Sequence, residues 1–127
     1  MTTAGVSLDA GALIAIEAGT RRVLALVEKT LRSGGQVHVV AGVVAQAWRG
    51  GSSQARLSRV LNAEGVVVSP LDELTARAVG ELCGRSRHAD IVDVHVVLHA
   101  REHGHRVITS DPDDLRRVDP TLPLIVV

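Results

Sequence analysis

Phenylalanine and tyrosine are absent from this chain of 127 residues, and Trp48 is its one large aromatic side chain. A base-stacking platform for single-stranded nucleic acid needs several aromatic faces, so that class of site is excluded. Cysteine is as scarce. Cys83 stands alone, which excludes an internal disulfide and a thiolate metal site and predicts a reducing compartment. Charge of one sign is not in excess either, because 14 basic residues balance 14 acidic ones. No global field draws such a chain onto nucleic acid, and any phosphate contact must come from a local patch. Apolar runs stay well short of the roughly 18 residues that span a membrane, and no signal peptide is visible. The sequence therefore predicts a soluble, cytoplasmic protein.

What is present is a core. Residues of apolar type make up 46% of the chain, nearly all of them Val, Leu, Ile and Ala. The length leaves no room for a second core, so residues 1–127 read as a single domain. Val6–Leu8, Gln36–Val40, Gly65–Ser69, Arg106–Ile108 and Leu124–Val127 are short apolar runs without strict alternation, as expected of strands covered on both faces. Between them lie helical patterns at 11–17, 20–33, 43–49, 54–62, 72–83, 90–102 and 112–117. Thr20, Asp72 and Asp90 are expected to cap helices, with Gly34, Gly84 and Gly104 closing them. Strands alternating with helices predict a three-layer α/β/α sandwich on a mostly parallel sheet.

Acidic residues gather where such a fold builds sites. Asp9 follows the first strand, and Asp111, Asp113 and Asp114 follow the fourth. If those strands are parallel neighbours, the acids leave the same sheet edge, the edge at which open α/β sheets bind ligands. Asp90 and Asp93, three apart, share a face at the start of the central helix. Asp93 lies on the apolar arc with Val96, Val97 and Ala100, so its carboxylate should be buried and in need of a partner. Clustered carboxylates repel one another, and a hard divalent cation offsets that cost. Each acid also has a plainer reading. Asp9 and Asp90 fit helix caps, Asp93 answers a helix dipole, and Asp111, Asp113 and Asp114 fit the cap of a short helix.

Three blocks, VSLDAGALIAIE, DIVDVHVVLHAREHG and VITSDPDDL, resemble the acidic blocks of the PIN domain, and most of all the VapC-type toxin ribonucleases of bacterial toxin–antitoxin pairs. The resemblance covers nearly the whole chain. It implies Mg²⁺- or Mn²⁺-dependent endonucleolytic cleavage of RNA, leaving a 5′-phosphate, by a homodimer blocked by a small antitoxin. It also implies catalytic roles for Asp9, Asp93, Asp111 and the position of Gln46, and metal-ligand roles for Asp9, Asp93 and Asp111, with Asp90 and Asp114 as further, auxiliary ligands. Two positions depart from the family pattern. Gln46 stands where Glu is usual, and Gly11 removes a hydroxyl or amide usual two positions after the first acid. Gln46 leaves open a catalytically weakened module that binds RNA or protein.

Basic residues Arg49, Arg56, Arg59, Arg85 and Arg87 are expected near the mouth of the site, either on RNA phosphates or simply solvated. Trp48 reads as core or partner interface. His95, His99 and His103 form an i, i+4, i+8 stripe that could suggest zinc. Placed with Glu102 on the arc opposite Asp93, they are expected on a solvated face. A phospho-accepting receiver domain is disfavoured, because Lys29 is the only lysine and falls within a surface helix. A haloacid-dehalogenase-like phosphatase is disfavoured too, because Asp9-Ala10-Gly11 lacks its second acid.

Overall fold

The short β-branched runs form five strands: β1 (Val6–Leu8), β2 (Val37–Val40), β3 (Val66–Ser69), β4 (Arg106–Thr109) and β5 (Leu124–Val126). The computed structural model describes residues 5–127. Every strand pairing is parallel, in the order β3-β2-β1-β4-β5. All residues of β1 and β2 are buried, as central parallel strands covered on both faces should be, including the polar Ser7 and His38.

Seven helices connect them: α1 (Ala10–Ala18), α2 (Arg21–Arg32), α3 (Ala41–Ala47), α4 (Ala55–Leu61), α5 (Glu73–Ser86), α6 (Ile91–His103) and α7 (Pro112–Val118). The chain moves outward from β1 to β3, then returns across the sheet to β4. Right-handed crossovers therefore put the early helices on one face and the later ones on the other. The packing agrees. α1 lies against α3 and α4, whereas α6 packs on β1 and β2 together with α5 and α7. The result is the expected α/β/α sandwich, built around buried Leu8, Leu13, Ile16, Val39, Val97 and Ile108.

The direction of winding reverses between β1 and β4. Leu8 pairs with Ile108, and the Asp9 N–H donates to the Ile108 carbonyl at 3.3 Å. Asp9 and the β4 exit thus leave one edge side by side, at the crevice where such sheets place ligands.

Several helix ends follow local chemistry and others do not, Asp111 at the start of α7 making no side-chain capping bond. Asp72 and Asp90 cap α5 and α6 by accepting backbone N–H groups at 2.9 Å, and Gly104 closes α6 at a φ of 67°. Thr20 occupies the N-cap of α2 but its hydroxyl makes no capping bond. Gly84 does not end α5. The helix runs on to Ser86, and Arg87 takes the left-handed conformation at a φ of 56°. The Ser86 hydroxyl, donating to the Leu82 carbonyl at 2.7 Å, holds that last turn.

Candidate active site

Asp9 sits at the C-terminal end of β1 with extended backbone and caps α1, its Oδ1 accepting the Ala12 N–H at 2.9 Å. It is 8% exposed. Burial pushes its carboxyl group above the ordinary value of 3.8; a hydrogen bond from the Thr109 hydroxyl and the Ala12 bond pull back, and the charges of Asp93 and Asp111 push further up. Thr109 is fully buried at the end of β4. Its Oγ1 also accepts the Asp111 N–H at 2.9 Å. One hydroxyl therefore ties the first acid to the backbone of the last.

Asp93 lies in the first turn of α6 and is partly buried. Burial raises its carboxyl group, His88 counteracts by hydrogen bonding, and Asp90 and Asp114 add repulsion. The contact from His88 Nε2 to Asp93 Oδ2 is 3.1 Å. Asp111 is exposed, and its carboxyl group is raised first by a hydrogen bond with Asp114, with Asp93 and Asp113 adding repulsion. Asp9, Asp93, Asp111 and Asp114 thus feel one another across the β1–β4 crevice. Mutually repelling carboxylates, one of them buried, are a donor set that fits a hard divalent cation.

The missing side chain at Gly11 has a counterpart. A Cβ there would collide with Ser110 Oγ and lie 3.5 Å from Asp9 Oδ1. The space that a side chain at Gly11 would take is thus occupied by the Ser110 hydroxyl, from the residue just past β4. Sequence reasoning missed Ser110, Thr109 and His88, because their roles depend on strand adjacency and on the turn of chain before α6.

The other expected site residues are spread more widely. Asp90 is exposed, and its Oδ1 accepts the Val92 and Asp93 N–H groups as the α6 N-cap. Gln46 is exposed on α3, one turn after Gly42, which faces Val92 of α6. Arg49 donates to the carbonyls of Ala45 and Trp48, and Arg56 to the carbonyl of Glu17, so both are engaged at helix C-termini. Arg59, Arg85 and Arg87 are exposed. Trp48 is 39% exposed and borders a cavity of ≈ 300 Å³ with Val44, Ser58, Leu61, Asn62 and Val68.

The solvated histidine face is overturned. His95 and His99 are buried, and only His103 of the stripe is exposed. α6 is covered by the sheet on one side and by α5 and α7 on others, so its supposed polar arc faces protein. His99 Nε2 meets His38 Nδ1 of β2 at 2.8 Å. Burial, then neighbouring imidazoles, push His99 and His105 down to about 4, keeping both neutral.

The PIN domain family model matches residues 6–120. The chain belongs to the PIN domain family. PIN domains are generally nucleases and typically use a divalent metal. Solved structures that share this fold include the following two. FitAB bound to the IR36 DNA fragment is 16% identical with a TM-score of 0.65, covering 95% of this chain and 94% of that one. FitAcB from Neisseria gonorrhoeae is 17% identical with a TM-score of 0.63, covering 94% and 96%. No curated protein matches the chain. Among the described residues, no helix is long and apolar enough to cross a membrane.

Proposed function

We propose that this PIN domain is an endoribonuclease, the toxin of a type II toxin–antitoxin pair, with residues 1–127 acting as one functional domain in the cytoplasm. The observation that carries the reading is the convergence of Asp9, Asp93 and Asp111 on the β1–β4 switch point. These three would hold Mg²⁺ or Mn²⁺, with Asp114 sharing a proton or the cation with Asp111 and Asp90 fixing the start of α6. A bound divalent cation lowers the pKa of water and offsets charge on the attacked phosphate. The chain's own residues do the positioning. His88 orients Asp93, Thr109 orients Asp9 and the Asp111 backbone, and Ser110 fills the gap above Gly11. Exposed Arg85 and Arg87 supply phosphate contacts, joined by Arg49 and Arg56 where their guanidinium groups retain free donors.

The partner reading rests on the apolar cavity between α3 and α4 around Trp48. It suits an apolar anchor from a small antitoxin or from a second copy. FitAB and FitAcB are two-component assemblies by name, which supports an antitoxin partner.

Purified protein should cleave RNA with Mg²⁺ or Mn²⁺, stop with EDTA, and lose roughly a thousandfold or more in rate as Asp93→Asn, because such groups act as a unit. Cleavage that persists in Asp93→Asn would sink the assignment. Gln46 supports a second reading, a weakened module that binds RNA without cutting it. Metal-independent RNA binding with no cleavage by the wild type would favour that reading.

A further inference from the structure

We propose that His38, His99 and His103 form a second metal site in this domain, one that takes a transition metal such as Zn²⁺ rather than Mg²⁺. One nitrogen from each of the three lies within 4.8 Å of the others. Two come from one face of α6 at i and i+4, their rings stacked at 4.1 Å between centroids. The third comes from the middle of β2. Two imidazoles one helical turn apart and a third from another element is a ligand arrangement that zinc accepts.

The hydrogen bonds around the three rings aim their lone pairs inward. Gln36 Oε1 accepts from His38 Nε2 at 2.9 Å, which leaves His38 Nδ1 as the basic nitrogen. His103 Nδ1 donates to the His99 carbonyl at 2.8 Å, which leaves His103 Nε2 free to bind. His38 Nδ1 and His99 Nε2 share a proton at 2.8 Å. A metal takes the place of that proton once His99 carries its hydrogen on Nδ1. Tetrahedral zinc at about 2 Å from each nitrogen spaces its ligands about 3.3 Å apart, so this pair opens by about half an ångström. Partners on the far nitrogens, as supplied by Gln36 and the His99 carbonyl, fix the rings of metal-binding histidines.

An ion can reach the site. A cavity of ≈ 200 Å³ is lined by His99 and His103 together with His95, Glu102 and Asp72. Water is available for a fourth position. Imidazole nitrogens select Zn²⁺, Ni²⁺, Co²⁺ or Cu²⁺, whereas the carboxylates near Asp93 select Mg²⁺ or Mn²⁺. The two sites are separate, since His99 lies six residues beyond Asp93, about 9 Å along α6. Metal at the histidines would clamp α6 to β2, and with it the helix that carries Asp93.

The test is a titration of untagged, metal-stripped protein with CoCl₂, followed by displacement with ZnCl₂. We expect one equivalent of Co²⁺ with visible absorption of a nitrogen-rich site, its loss on adding Zn²⁺, and a higher melting temperature with Zn²⁺. His103→Ala changes an exposed residue at the end of α6 and should weaken Co²⁺ binding at least about tenfold. Its melting temperature in EDTA should stay near wild type, separating lost ligation from lost folding. His103→Gln, which can still donate to the His99 carbonyl, should lose the same affinity. Asp93→Asn should leave the visible absorption of the nitrogen-bound Co²⁺ unchanged. Absence of a saturable Co²⁺ site would overturn the proposal and leave an imidazole network that only satisfies itself. A site that survives both His103 variants, or disappears in Asp93→Asn, would overturn it as well.

Discussion

His88 Nε2 stands 3.1 Å from Asp93 Oδ2, with both side chains mostly shielded from solvent. The imidazole precedes α6, while the carboxylate belongs to its first turn, so the contact pins the turn of chain between α5 and α6 to the acidic crevice. Burial works against the Asp93 charge and His88 works for it. Hydrogen-bond partners of ligating carboxylates commonly carry a tenfold or greater share of metal affinity. His88→Ala should therefore weaken Mn²⁺ binding about tenfold, and His88→Gln, which keeps a donor, should lose less. Calorimetric titration of Mn²⁺ reads the difference. Equal affinity in His88→Ala and wild type would mean that α6 alone orients Asp93.

Much of this crevice was legible in the chain. Asp9 and Asp111 each follow a short apolar strand, and parallel pairing of β1 with β4 was enough to bring them together. The strand order itself was not legible, because nothing local says that the chain turns back across the sheet after β3. For the same reason Ser110 could not be matched to the gap at Gly11, although they lie 99 positions apart and share one corner. The histidines failed differently. On a helical wheel an i, i+4, i+8 stripe looks like a wet face. Periodicity does not distinguish water from a polar partner, and here the partner of His99 is His38, 61 positions away.

Trp48 offers a test of the partner surface. It is half-exposed beside the cavity formed with Val44, Leu61 and Val68, at the end of α3. Buried Gln54 braces this corner, accepting from Arg49 and Gly50 N–H and donating to the Ala47 carbonyl. A rigid, exposed indole at an apolar cavity is suited to anchoring an interface. Trp48→Ala should weaken antitoxin binding or self-association by about 2 kcal/mol while changing the melting temperature little. Sedimentation with and without the antitoxin checks it, and unchanged association would move the interface elsewhere.

Gln46 gives a charge test. As an amide it adds no negative charge to the acids, and it is exposed on the helix whose Gly42 faces α6. If it borders the crevice, Gln46→Glu strengthens the attraction for a divalent cation and adds repulsion when none is bound. Mn²⁺ affinity and RNA cleavage should rise severalfold, and the melting temperature in EDTA should fall. Titration of both variants with Mn²⁺ decides, because an unchanged affinity would put Gln46 outside the site.

The buried imidazoles set a stability limit on the acid side. Burial first, then the positive charge each would meet on its neighbours, lowers His99 and His105 from the ordinary 6.5 to about 4. His38 and His95 are lowered as well, with Glu102 and Asp72 partly opposing the shift at His95. The unfolded chain takes up protons on these rings as pH falls past 6.5, and the folded chain does not until about 4. Their contribution to stability is therefore complete above the unfolded value and drains away as pH drops through that window. Asp9 and Asp93 act in reverse. Their raised values favour the folded state at low pH and cost stability as pH rises through them. In EDTA the melting temperature should fall from about pH 6.5 to about pH 4, the window between the unfolded and folded values of these rings. His105→Gln removes one of the buried imidazoles beside Ser7, whose Oγ lies 2.9 Å from His105 Nδ1, and should flatten the fall. A melting temperature constant across that range in the wild type would mean that these rings are hydrated and free to charge in the folded protein.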